Sequence, residues 1–518
     1  MAFSFLQEPI SNPDDFIVFS NWAPIIGYTL YRSDDNYTDD KFYYKLVLKV
    51  DSGILSNNII NQGTLKQRPN GYSVDVVNGR ARAIFDLRDI VNSTLCDTVI
   101  DLNCIGIPFG SIHELGDNTY ECSSDATPCQ PIFSKNGDRE GKYQIDQFLV
   151  YSKEWYSDSQ FTSPSIQVES GNAIAWFIRA TEPLTTPRGT DPYAFIDEAV
   201  TKKYMPIPLS LGGVGNSRFL SDVSEKNVHS FKAGLTLDGY INKVKVDDYH
   251  TVAFINKGYQ WNCQLEWIRV EYFEADGTAL NAGNLLNVNT GTTLYGGSDP
   301  TTQTQNTLQD ECLLYFGCGP ANLQAQSIDT SLRPFAVNNR TWSFYTIQGF
   351  SDTLPDGKVT AKYYFVRQED DCKPFLTVRL GWVNSKGAYD YFNFMKKSEI
   401  TTDITRTHYE SMLGTYNKSV FRYNDTDRGK NINKVTALKK QKIQTDWLTE
   451  TEALMIESLL VSTNVFTIKN LKAGVGTEYT QPVVITDKSF KKKTLVNDGI
   501  KIQYTVNIEF ANLTNTNN

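Results

Sequence analysis

Carboxylate pairs are the residues of this sequence whose types and spacing come nearest to a reaction. Glu266 stands beside Trp267, with Glu271 and Glu274 downstream. Carboxylates next to aromatic rings are the lining a sugar cleft uses. Glycoside hydrolysis needs two carboxyls roughly 5 to 9.5 Å apart, one as acid and one as base or nucleophile. Strand alternation predicts Glu266 and Glu274 on one face and Glu271 on the other. The competing reading is a solvated strand face, because the spacing alone does not bring any two of them to that distance.

The other chemistry-bearing residues are sparse. The four histidines, His113, His229, His250 and His408, are scattered and none sits in a ligand spacing such as H-E-x-x-H. No G-x-S-x-G supports a serine nucleophile. Cys122 and Cys129, and Cys312 and Cys318, are close pairs without zinc spacing. With Cys96, Cys104, Cys263 and Cys372 they read as free, mostly buried thiols made in a reducing cytosol. The run Leu211–Ser217 has Gly212, Gly213 and Gly215 but lacks the lysine of a phosphate loop. Asp425-Thr426-Asp427-Arg428-Gly429 has its glycine one place early for a calcium loop and no closing Glu. Lys488, Lys491, Lys492 and Lys493 read as a solvated, aggregation-blocking edge. These patterns predict no catalytic residue, no cofactor-binding residue and no metal ligand.

The elements that would position such residues are strands. A chain of 518 residues is long enough for about three or four domains. Tyr and Phe number 28 each and Met is scarce, which favours β architecture. The net charge of −9 argues against a dedicated nucleic-acid binder, whose affinity comes from neutralised phosphates. It suits a surface that DNA slides past. No run approaches the roughly 20 apolar residues of a membrane helix, and the N-terminal MAFSFLQEPISNPDDF is no signal peptide.

Four regions are expected: an N-terminal β domain over 1–95, a loop-rich β domain over 96–215, a β domain over 216–370, and a C-terminal β domain over 371–518. The fold class is mainly β, with several sandwich-like or barrel-like domains and few short helices. Strands are predicted at Asp15–Ser20, Tyr28–Arg32, Lys41–Val50, Arg80–Phe85, Lys142–Tyr151 and Gln167–Arg179. Thr251–Phe273 reads as two strands about a Lys257-Gly258 turn, the second with Trp261, Cys263, Leu265 and Trp267 on one face. Asn287–Leu308, low in charge and apolar content, reads as a long exposed loop.

The densest signal is Phe375–Phe394, FLTVRLGWVNSKGAYDYFNF. Leu376, Val378, Leu380 and Trp382 share a face at period two. Ser385-Lys386-Gly387 makes a tight turn, with Gly387 free to take positive φ. Tyr389, Tyr391, Phe392 and Phe394 return as an aromatic strand. Further on, Thr449 with Glu452 predicts a capping box and a helix to about Ser462, with Ala453, Ile456, Leu459 and Leu460 on its apolar face. Strands are expected at Asn464–Lys469, Pro482–Asp487 and Ile500–Phe510. Trp382, Tyr389, Tyr391, Phe392, Phe394 and Trp447 are the candidate scaffold or interface residues.

Two parts of the chain resemble a known group. One is the L-G-W-V-N…G-A-Y-D-Y-F-N-F pattern of Phe375–Phe394, followed by Thr445–Glu452, Pro482–Asp487 and Ile502–Phe510. The other is Ile84–Ile90, IFDLRDI. Together they are similar to large virion proteins of short-tailed bacteriophages of Bacteroidota hosts, the crAss-like phages in particular. The resemblance implies a tail or neck component made in the host cytoplasm and built into the virion. It implies a homo-oligomeric ring, of twelvefold or sixfold order, that meets other ring, portal or hub proteins and lets DNA pass without specific binding. It implies no enzyme, cofactor or membrane. A capsid-decorating or fibre protein, and a tail-associated depolymerase using Glu266, are the alternatives.

Overall fold

The computed structural model describes residues 217–255, 265–286, 313–324, 342–350, 357–368, 376–422, 429–469, 479–487 and 502–517, with short breaks, and before them the backbone of nine strands. Those nine are β1 (Phe3–Gln7), β2 (Ile17–Phe19), β3 (Thr29–Arg32), β4 (Phe42–Asp51), β5 (Ile59–Gln67), β6 (Arg82–Ile84), β7 (Phe133–Lys135), β8 (Ile145–Ser157) and β9 (Ile174–Ile178). All but β7 form two sheets, one in the order β1-β3-β6 and another in the order β2-β9-β8-β4-β5.

The described chain is mainly β, with two short helices among the described residues. It divides into two compact units. The first comprises Met1–Glu369 together with Val383–Asp390, and the second Asp370–Trp382 and Tyr391–Asn518.

The first unit is built on β10 (Asn227–Ser230), β11 (Thr236–Val244), β12 (Thr251–Ile255), β13 (Trp267–Phe273), β14 (Ala279–Leu286), β15 (Leu313–Gly317), α1 (Pro320–Gln324), β16 (Phe344–Phe350) and β17 (Tyr363–Arg367). Six of these strands form one sheet in the order β10-β11-β17-β16-β13-β14, with β11 and β17 parallel. Alternation loads both faces. Tyr240, Ile268, Val270, Tyr272, Tyr345, Ile347, Tyr363 and Phe365 belong to the larger core with Phe219, Phe254 and Trp342. Leu237, Ile241, Phe344 and Val366 form a smaller cluster, with Phe231 stacked on Phe344. Both faces of a sheet this rich in aromatics are hydrophobic, so both must be covered.

The two strands expected about Lys257-Gly258 do not pair with each other. β12 pairs with β15, in a sheet with β7, whereas β13 pairs with β14 and β16. Adjacent apolar runs read as a hairpin from sequence, but here each strand finds its partners elsewhere. Leu265 is buried and Trp267 stacks on Phe350; Trp261 and Cys263 lie outside the described residues.

The second unit is built on a sheet in the order β19-β18-β24-β25-β26-β23-β20, with β27 beside β23, and on a separate β21-β22 pair. Its strands are β18 (Val378–Val383), β19 (Tyr389–Phe394), β20 (Glu399–Glu410), β21 (Thr415–Asn417), β22 (Val420–Arg422), β23 (Lys430–Gln444), β24 (Val465–Lys469), β25 (Tyr479–Ile485), β26 (Thr505–Phe510) and β27 (Thr514–Asn517). The helix α2 (Glu450–Val461) starts as the sequence predicts. Thr449 Oγ1 accepts from the Glu452 amide, and Glu452 Oε2 accepts from the Thr449 amide, so two otherwise orphan donors are satisfied. Ala453, Met455, Ile456 and Leu459 are its buried side chains, while Leu460 is half-buried. In β26 the alternation holds: Val506, Ile508 and Phe510 are buried. Its ordered strand starts at Thr505, and Ile502 bridges to Leu448 instead. Gly381 lets Phe466 approach, since a Cβ there would lie 2.4 Å from the ring.

Candidate functional site

Two features of the described residues exceed what a plain β core needs: a buried ionic cluster at the Asn384–Gly387 turn, and a long exposed ribbon built from β20 and β23.

The cluster begins with turn chemistry. Gly387 takes φ +81°, and Asn384 Oδ1 accepts from the amides of Lys386 and Ala388, both at 3.0 Å. This places Lys386 against Asp222, more than 160 residues earlier in the chain. Lys386 Nζ donates to Asp222 Oδ1 at 2.8 Å, and both side chains are more than nine-tenths buried. Asp222 Oδ2 accepts the Ser385 amide at 3.0 Å, and Oδ1 also accepts from the Ser385 hydroxyl. A second carboxyl, Asp390, sits alongside. Its Oδ2 accepts the Asp222 amide at 2.7 Å and Asn384 Nδ2 at 3.1 Å, and its Oδ1 lies 2.6 Å from Ser221 Oγ. Asn384 Nδ2 also reaches the Leu220 carbonyl at 2.9 Å. Ser221, Asp222 and the turn all belong to the first unit.

The two carboxyls titrate in opposite directions. Burial pushes Asp222 up, but the adjacent Lys386 charge and the hydrogen bonds from Lys386 and Ser385 outweigh it and hold the carboxylate below its ordinary range. Burial, and then the Asp222 charge, raise Asp390 to about 7. Near neutrality the set is therefore one ammonium, one carboxylate and one carboxylic acid at the midpoint of its titration. With Asp390 protonated the charges of Lys386 and Asp222 offset each other, as burial of an ion pair requires. Lys386 sits 3.2 Å from Ser385 Oγ, but an ammonium paired with Asp222 is no base for that hydroxyl. The cluster orders the Asn384–Gly387 turn.

The carboxylates singled out in the sequence fare differently. Glu271 is tied to Arg269 at 2.6 Å and Lys362 at 3.7 Å, on a half-exposed strand face. The Glu274 amide donates to the Thr278 carbonyl in the β13–β14 turn. Glu266 lies outside the described residues. The described histidines stay apart: His250 is buried edge-on to Phe365, His229 packs on Phe231, and His408 is exposed. Cys318 is buried, and its carbonyl accepts the Tyr345 hydroxyl at 2.7 Å. Among the described residues no three His, Cys, Asp or Glu side chains come together as a metal site, and no helix is long and apolar enough to cross a membrane. His113, the other seven cysteines, Gly212, Gly213 and Gly215, the 287–308 segment, Asp425–Arg428 and Lys488 to Lys493 lie outside the described residues.

Of the six candidate scaffold or interface residues, Trp382, Tyr389, Tyr391, Phe392 and Phe394 are buried within the protein. Trp382 Nε1 donates to Ser458 on α2 at 3.0 Å. Trp447 is 53% exposed. Leu376, at 85%, does not join the face of Leu380 and Trp382 in the core.

The ribbon was not legible as a site in the sequence. All twelve residues of β20 are exposed. They pair with β23 from Glu399↔Lys442 to Glu410↔Lys430, with a bulge at Thr407/His408. Directly opposed residues share a face. Ile400 opposite Gln441, and Ile404 opposite Ala437, therefore lie on the side of β23 that carries the buried Ile443. In β26, Ile508 and Val506 continue that side as core. On this side of the ribbon the apolar Ile400, Ile404, Ala437, Val435 and Ile432 continue past the core, interleaved with Thr402, Lys439, Arg406 and His408. The opposite face is mostly polar, with Lys440 bonded to Asp403 at 2.7 Å, and carries Leu438 and Tyr409 as well. At the far end β21 and β22 form a small hairpin, where Lys418 takes φ +64° and Tyr416 meets Phe421 edge-on. Met412, Leu413, Tyr416, Val420 and Phe421 are exposed there, Tyr416 by 71%. The signal was present as β-branched residues at alternate positions in EITTDITRTHYE, but its exposure on both faces depends on where the body ends. No protein-family model matches this chain, and no curated protein matches it.

Proposed function

We propose that the chain is a structural subunit of a bacteriophage virion and forms an oligomeric ring of the tail barrel or neck through which DNA exits. The observation that carries this reading is the β20–β23 ribbon, a long exposed arm with apolar residues along one face and at its tip. A monomer gains nothing from holding such a surface in water. A subunit that must grip a neighbour gains a great deal, because an arm reaches beyond the contact its own body can make. The terminal motifs similar to virion proteins of short-tailed phages supply the setting, and the acidic net charge suits a conduit that does not hold DNA. The ring role assigns the chain no substrate and no cofactor.

Cryo-electron microscopy of purified particles tests the proposal. The chain is expected as a ring about the tail axis. Its absence from the particle, or its presence as a trimeric fibre or on the capsid lattice, would reject the ring.

A further inference from the structure

We infer that the arm, Glu399–Gln444, docks on a second copy of this chain, in a head-to-tail contact in which each copy gives an arm and receives one. The inference rests on the subunit reading above and adds who the partner is.

Three observations carry it. The first is charge. Residues 399–444 hold nine basic and five acidic side chains, net +4. The other residues hold 41 basic and 54 acidic side chains, net −13. A basic arm on an acidic body is complementary to the body of another copy, which steers association and sets orientation. The second is the apolar row. Ile400, Ile404 and Ile432, with Tyr416 and Phe421 at the tip, are exposed side chains that a protein surface desolvates and a phosphate backbone does not. This favours a protein occupant over DNA despite the lysines. The third is the edge. Among the described residues the sheet order ends in β20, a strand of twelve residues without proline, with one bulge at Thr407/His408 and charges at Glu399, Asp403, Arg406 and Glu410. Natural sheets blunt long edges of this kind unless another strand or chain covers them. A donor arm and a distinct acceptor surface make a heterologous contact, which closes into a ring or runs on as a filament.

The test uses the full chain. Two differently tagged copies are co-expressed, purified through both tags, and cross-linked with a zero-length carbodiimide that joins lysines to carboxylates. Mass photometry is run alongside on wild type, Ile400→Lys/Ile404→Lys and Lys434→Glu/Lys439→Glu. Ile400, Ile404, Lys434 and Lys439 are at the surface, so these variants keep the fold, which circular dichroism verifies. The expected result is an oligomer whose cross-links join arm lysines of one tagged copy to carboxylates of the other. Self-association should weaken about tenfold or more in each double variant. An oligomer that all variants leave unchanged overturns the inference while the subunit reading stands. So does a wild-type monomer that is nevertheless a tail component, or a loss confined to DNA binding or to another virion protein. Absence of the chain from the particle rejects the subunit reading itself.

Discussion

Replacing Asp390 with Asn should erase a pH dependence of stability that the wild-type protein carries between pH 5 and 8. Asp390 is fully buried, and its carboxyl is raised from the ordinary 3.8 to about 7 by burial and by the Asp222 charge. Asp222 and Lys386 are the charged groups against it, and Ser221 and Asn384 the neutral ones. In the unfolded chain the acid has lost its proton above about pH 4; in the folded chain it keeps it up to about pH 7. Folding therefore takes up a proton in this interval, and stability falls as pH rises through it, levelling off above about 7. At about 1.4 kcal/mol for each pH unit, the loss from pH 4 to pH 7 is about 4 kcal/mol. Asp222 is shifted the other way, so its contribution is complete above its unfolded value and is lost only below about pH 4, outside the assay. Asn imitates the neutral acid: its carbonyl can accept the Asp222 amide and Asn384 Nδ2, and its amide can donate to Ser221 Oγ. Urea unfolding followed by circular dichroism at pH 5, 6, 7 and 8 should show wild type losing roughly 3 kcal/mol across the series relative to the variant. Equal pH slopes in the two proteins, or a variant several kcal/mol weaker at pH 5, would refute the assignment of the proton to Asp390.

Other substitutions test other parts of the account. Lys386→Met leaves Asp222 buried without its cation, and should cost about 3–5 kcal/mol in urea unfolding at pH 7. Gly381→Ala places a methyl 2.4 Å from the Phe466 ring and should cost about 1–3 kcal/mol, read as a lower thermal midpoint. Thr449→Ala removes one half of the capping box of α2 and should cost about 1 kcal/mol by the same measurement.

Much of the described fold follows from short-range pattern. The Gly387 turn, the aromatic strand Tyr389–Phe394, the Thr449/Glu452 cap and the alternation of β26 are set by residues within a few places of one another, so they can be read in order. The ionic cluster could not be. Asp222 and Lys386 meet across 164 residues, and nothing near Asp222 in sequence distinguishes it from a surface aspartate. The pairing of β12 and β13 with other strands is non-local in the same sense. The arm failed to stand out for a different reason. Its alternating Ile and Thr predict a strand of any kind, and only the point at which the core ends makes Ile400 and Ile404 exposed. The expected roles of Trp382, Tyr391 and Phe394 were drawn from aromatic density, which marks a core as readily as an interface.

The most direct measurement on the central claim is a reconstruction of the intact tail from purified virions. The account predicts a closed ring of this chain about the tail axis, with residues 399–444 of each copy lying on the next. Density for the chain away from that axis, or a ring in which the arms touch only their own copy, would contradict it.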